Sequence, residues 1–171
     1  MAEQSETYSD KPLRFSIPSR HARGRLVRLD NVLSDVLAAH SYPPQVEKIL
    51  AEALILTALL GASLKEPESQ LTMQARTEKG AISMLVSDYK NGALRGYAQF
   101  DAEKIATLPV DSTLFGLFGT GFLAITFDRA LPPGEGGGRY QGIVPLEGQS
   151  LADAAEHYFV QSEQIPTLLR V

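Results

Sequence analysis

Ser162, Glu163 and Gln164 stand together near the end of a chain of 171 residues. A serine beside a carboxylate is the nearest approach in this sequence to a nucleophile with an acid. No G-x-S-x-G elbow surrounds Ser162, so the sharp strand-to-helix turn that exposes a hydrolase serine is missing. A Ser-His-Asp triad meets only in space, so sequence leaves that question to the structure. The three histidines are His21, His40 and His157. Each lacks a second ligand at i+3 or i+4, and with no cysteine in the chain there is no sulfur-ligated zinc, no disulfide and no thiolate nucleophile. The run Gly116-Leu117-Phe118-Gly119-Thr120-Gly121 looks like a phosphate loop. Such a loop needs a strand before it and a long helix after it, and here a strand follows. These glycines read as turns entering a strand.

Five arginines, Arg14, Arg20, Arg23, Arg25 and Arg28, crowd the early chain. A nucleic-acid strip would interleave aromatic residues with them and sit in a basic protein. The net charge is -4, so the arginines read as the solvent face of an early strand. Apolar residues make up 44% of the chain, enough for a real core and too many for a disordered one. The N-terminus carries no apolar signal segment. The longest nearly apolar stretch, residues 53–64, is shorter than the roughly 20 residues that span a bilayer. The expectation is a cytoplasmic protein with no membrane and no nucleic-acid partner.

The elements that must position these residues follow from periodicity. Residues 1–12 are polar and read as a frayed tail, and 13–171 as one core domain. Leu13, Phe15 and Ile17 alternate in an extended segment. Asp30 reads as an N-cap for a helix carrying Leu33, Val36, Leu37 and His40. Pro44 opens a second helix, about 45–64, whose first half presents Gln45, Glu47, Lys48 and Glu52 to solvent. Its second half, ALILTALLGASL, is apolar all round, which predicts burial on every side. The period then changes from 3.6 to 2. Leu71, Met73 and Ala75 form one alternating set; Ile82, Met84 and Val86 form another, with Leu85 on the opposite face. Lys90-Asn91-Gly92 reads as a hairpin turn, with Leu94 to Phe100 as the returning strand. Residues 114–118 make a short helical turn, 122–127 and 140–146 strands, and PPGEGGG between them a flexible loop. Ser150 with Asp153 forms a variant capping box for a last helix whose face is Leu151, Ala154, Ala155, Tyr158, Phe159 and Ser162. Pro166 ends it, and 167–171 read as a strand. The fold class is α+β: antiparallel sheets packed around a buried central helix, in three layers β/α/β.

Several of these pieces occur together in one known family. RGRLVRLD followed by VLAAHSYPPQVEKILAEALILTALLGASLK resembles the opening of the redox-regulated 33-kDa chaperonins, which are bacterial heat-shock holdases. LRGYAQF, GFLAITFD and RYQGIVPLEGQSLADAAEHYFVQSEQIPT are similar to later blocks of that family, in order. The most specific block is Tyr158, Phe159, Ser162, Glu163, Gln164 and Pro166, read here as structural.

The resemblance implies a non-enzyme: an ATP-independent chaperone that binds unfolded or partly unfolded client proteins under heat and oxidative stress and forms a homodimer. It implies a three-layer N-terminal core, then a helical linker and a C-terminal module in which four cysteines, as C-x-C and C-x-x-C, hold one zinc. Those cysteines are absent from this chain, so no zinc cofactor is expected in it. The chain is expected to be a fragment rather than a natural short paralogue. A holdase needs apolar surface, and large exposed apolar patches mark interaction sites. The candidates are Leu85 and Tyr97 on the outer face of the meander, and Phe115, Leu117, Phe118 and Phe122.

Overall fold

The computed structural model describes residues 8–130 and 138–171; residues 1–7 of the expected tail and 131–137 of the expected glycine-rich loop lie outside the described residues. The fold is α+β with antiparallel sheets, as the periodicity demands. The extended early segment is a hairpin. Strands β1 (Leu13–Ile17) and β2 (Ala22–Leu26) pair antiparallel across a 3-10 turn at Pro18–Arg20. All five early arginines are exposed.

Helix α1 (Asn31–Ala38) follows, but Asp30 does not cap it with its side chain. The cap comes from Asp10, whose carboxylate accepts the N–H of Asp30 at 2.8 Å and of Asn31 at 3.1 Å. These backbone donors hold the Asp10 carboxyl below its ordinary value. Asp10, read on sequence as tail, is therefore tied to the fold.

Helix α2 (Pro44–Gly61) is the centre of the core. Val46, Leu50, Ala53, Leu54 and Leu56 are fully buried against a five-stranded sheet of order β5-β4-β3-β6-β7. Its strands are β3 (Gln70–Thr77), β4 (Ile82–Lys90), β5 (Ala93–Phe100), β6 (Gly121–Arg129) and β7 (Gly138–Pro145). Thr57, polar and wholly buried, meets the Ser87 hydroxyl of β4 at 2.6 Å, so each satisfies the other.

The burial on every side expected of residues 53–64 holds within α2 except at Ile55 and Leu59, which lie on one stripe of the helix. Ala51, Glu52, Ile55 and Leu59 are half-buried and Lys48 is exposed. Of these, Lys48, Ala51, Glu52 and Ile55 border a cleft of about 500 Å³. Gln45, expected in solvent, is buried: its amide donates to the carbonyls of Leu108 at 2.9 Å and Ile105 at 3.4 Å. There it ties α2 to a short helix that sequence reading missed, α3 (Ala102–Ala106), capped by Asp101.

The hairpin turn between β4 and β5 has Asn91 and Gly92 at positive φ, 51° and 79°, as a tight turn requires. Inside β4 the register shifts between Ile82 and Met84. That bulge moves the inward set to Ile82, Leu85 and Ser87 and turns Met84 and Val86 outward. Leu85 therefore belongs to the core, not to the outer face expected for it. Helix α4 (Leu114–Phe118) leads into β6 and buries Leu114, Leu117 and Phe118.

Helix α5 (Leu151–Tyr158) starts at the expected capping box, with both Ser150 and Asp153 bonds made. It lies beside α2 on the inner face of β7, where the Tyr158 ring fills the space beside Gly142. A single turn of π-helix, Phe159–Glu163, then closes at Gln164, which takes φ 54°. The strand expected at 167–171 is irregular chain instead. It is tied down by Leu169, whose side chain is buried and whose N–H donates to Glu156 at 2.6 Å.

Candidate functional site

Alternation along each strand sorts the five-stranded sheet into two faces. The inner face carries Leu71, Met73, Ala75, Leu85, Leu123, Ile125 and Val144, all essentially buried beneath α2 and α5. On the outer face the register aligns Tyr97 with Val86, Gln74 with both Val86 and Ala124, and Ala124 with Ile143. The next row runs Gln99, Met84, Arg76, Phe122, Pro145. These two rows form a largely apolar band across all five strands. Tyr97 and Phe122 are each 41% exposed and Ile143 58%. Beyond the band the face turns polar: Arg95 pairs with Asp88 at 2.9 Å, Thr72 donates to Asp88 at 2.6 Å, and Gln141 donates to Thr126 at 2.7 Å. A broad depression at the other border is lined by Met84 and Phe122 together with Arg76, Glu78 and Lys79.

Of the six apolar candidates, Tyr97 and Phe122 lie on this band. Phe115 stands 66% exposed on α4. Leu85, Leu117 and Phe118 are core residues with no more than 4% exposure, because the β4 bulge turns Leu85 inward and α4 packs its apolar side against the sheet. Sequence reading missed Met84, Val86 and Ile143. The signal for Ile143 was present, since it alternates with the inward Gly142 and Val144; the signal for the β4 pair was masked by the bulge.

The Tyr158, Phe159, Ser162, Glu163, Gln164, Pro166 block is an assembly of contacts. Tyr158 is wholly buried, and its hydroxyl donates to Glu163 at 2.9 Å. Burial first, and the Glu163 carboxylate second, push the phenol far above its ordinary value, so it acts as a permanent donor. Phe159 is half-buried and meets the Tyr158 ring edge-on at 5.3 Å. Ser162 contributes its carbonyl to the Tyr140 hydroxyl at 3.5 Å. His157 contacts the Gln161 amide. None of these contacts joins a serine to a histidine and an acid. Among the described residues no group of histidines and carboxylates is arranged to hold a metal ion.

The Hsp33 protein family model matches residues 10–171. The chain belongs to the Hsp33 family. Among its relatives, a protein named 33 kDa chaperonin from Caulobacter vibrioides (strain NA1000 / CB15N) is 42% identical over 161 residues, 92% of this chain and 51% of that protein. The 33 kDa chaperonin of Yersinia pestis (strain Pestoides F) is 39% identical over 161 residues, 94% of this chain and 52% of that one. The crystal structure of the 33 kDa chaperonin (heat shock protein 33 homolog) from Thermotoga maritima superposes with a TM-score of 0.73 at 24% identity, covering 91% of this chain and 52% of that one. That likeness carries the Hsp33 fold. This chain spans about half the length of each of these relatives. Among the described residues, no helix is long and apolar enough to cross a membrane.

Proposed function

We propose that this chain is the client-holding part of an ATP-independent holdase, and that the apolar band on the outer sheet face is where it holds unfolding proteins. The observation that carries the reading is the band itself. Met84, Val86, Tyr97, Phe122 and Ile143 lie on one side of a sheet whose opposite side is already fully packed by α2 and α5. A sheet needs only one buried face to fold, so a second apolar face is surplus to folding and is available for binding. Unfolding proteins expose apolar segments of no fixed sequence, and a broad band with a polar border suits them better than a closed pocket.

The names of the relatives agree with a chaperone role, and the reading carries over their class of partner: unfolded or partly unfolded proteins under heat and oxidative stress. The redox switch that the family resemblance implies depends on cysteines, and this chain has none. The part described here is therefore the platform, read as non-enzymatic, acting in the cytoplasm and able to form a homodimer. The test is suppression of aggregation across several unrelated heat-unfolding proteins, followed by light scattering. A holdase suppresses most of them at near-stoichiometric ratio without ATP; a module built for one fixed partner fails on most, and that outcome overturns the reading.

A further inference from the structure

The two edges of the five-stranded sheet differ. At the β5 edge, the Tyr42 hydroxyl accepts the Ala98 N–H at 3.1 Å, and His40 meets the Tyr97 ring edge-on with ring centroids 5.6 Å apart. That edge is capped by the segment between α1 and α2.

Among the described residues no strand pairs with the outer side of β7, and its hydrogen-bonding set can be read from one contact. Leu146 N–H donates to Gly121 O at 3.0 Å, one step beyond the Pro145–Phe122 pair. Leu146 and Gly121 are therefore a directly hydrogen-bonded pair. Strict alternation in an antiparallel ladder then points the main chain of Val144, Gly142 and Tyr140 at β6 and that of Ile143, Gln141 and Arg139 away from it. Pro145 falls in the outward set, where its missing N–H costs no ladder bond. Among the described residues, nothing accepts the N–H groups of Arg139, Gln141 or Ile143.

Natural edge strands are guarded by charge, proline or cover. Here the guards stand only at the ends: Pro145 at one, and at the other Arg139, whose charge Asp128 meets at 3.7 Å. Between them lie Tyr140, Gln141, Gly142, Ile143 and Val144, with no charge. Ile143 is also the last residue of the apolar row of the outer face, so a strand added at this edge would extend that row by one more side chain, about 4.8 Å further on. A second copy of β7 fits less well. The antiparallel register that pairs these three residues only with one another centres on Gln141 and sets each Ile143 opposite the other copy's Arg139, a poor cross-strand pair.

We propose that the free edge of β7 takes an extended, uncharged segment of an unfolding polypeptide as a sixth strand, main chain to main chain at Arg139, Gln141 and Ile143. This rests on the holdase reading and adds to it the mode of recognition. Main-chain bonds supply affinity without a sequence requirement, and the outer band supplies contacts for alternate side chains.

The probe is reduced, carboxymethylated α-lactalbumin, which is unfolded without heating. Binding to the chain is followed by fluorescence anisotropy, and amide exchange at Arg139, Gln141 and Ile143 by NMR. Adding the probe should slow exchange at those three amides. Gln141→Pro, which removes one free N–H at an edge position that tolerates proline, should weaken binding roughly three- to tenfold, the worth of about one hydrogen bond. Gln141→Val keeps the N–H while losing the same side-chain bond to Thr126, and should bind more tightly than Gln141→Pro. Wild-type binding with no protection at the three amides, or undiminished binding by folded Gln141→Pro, overturns the edge proposal and leaves the holdase reading standing. Protection that grows with protein concentration before any probe is added also overturns it, because the occupant is then a second copy. Failure of the wild type to bind the probe overturns both.

Discussion

Glu52 sits half-buried at the junction of α2 and α5, where its carboxylate accepts the Ala152 N–H at 2.9 Å. Desolvation outweighs that bond and raises its pKa above the ordinary carboxylate value. A raised folded value means the group stabilises the fold below the unfolded value, and that contribution is lost as pH rises through the folded one. Glu52→Gln keeps an acceptor and removes the titration. Melting temperatures of both proteins at pH 4 and pH 7 should therefore show the variant gaining on the wild type as pH rises; the reverse trend would contradict this. Tyr158 and Phe159, neighbours in the most specific sequence block, divide differently from what helical spacing suggests. Helical spacing puts both on the buried face, but the helix passes into a π turn at Phe159, and that ring is only partly buried against the core. Tyr158→Ala should cost about 3–5 kcal/mol, as for a fully buried aromatic. Phe159→Ala should cost clearly less, and chemical denaturation of the two variants compares them directly.

At the scale of elements, period and capping were legible and register was not. The capping box of Ser150 and Asp153, the Asn91-Gly92 turn and the inward set of β3 are local patterns, and each appears where the residues put it. The bulge in β4 leaves no such mark, since Ile82, Met84 and Val86 alternate as cleanly as a regular strand. One extra residue reverses the faces, so it also decided which side chains were available for binding. This yields a paired prediction. Leu85→Asp places a carboxylate in the core, costs several kcal/mol and should unfold the domain, since that is on the order of its whole stability. Val86→Asp, one residue on, points to the outer face and should leave the circular dichroism melt nearly unchanged. The opposite ranking would restore the regular register. On α2 the same logic separates Leu56, wholly buried, from Leu59 on the half-buried stripe. Leu56→Asp should unfold the chain and Leu59→Asp should be tolerated better.

At the scale of the molecule, the family was legible because its blocks recur in order, whereas the candidate site was legible only in part. Tyr97 and Phe122 were found because aromatic residues in strands announce themselves. The band that joins them depends on cross-strand neighbours far apart in sequence. The account places holding on a rigid face and leaves no thiol to switch it, since the only sulfurs are the thioethers of Met1, Met73 and Met84. Met73 is buried, and Met84 lies on the band, where a sulfoxide would make the surface more polar and weaken holding rather than start it. Suppression that appears only after peroxide and is reversed by a thiol reductant would contradict this. The most direct test of the central claim is light scattering of a heat-unfolding protein mixed with the wild-type chain or with a Tyr97→Ser, Phe122→Ser, Ile143→Ser variant. The account predicts that the wild type suppresses aggregation and that the variant, with a circular dichroism spectrum like the wild type's, loses most of that suppression. A folded variant that suppresses aggregation as well as the wild type would show that clients are held elsewhere.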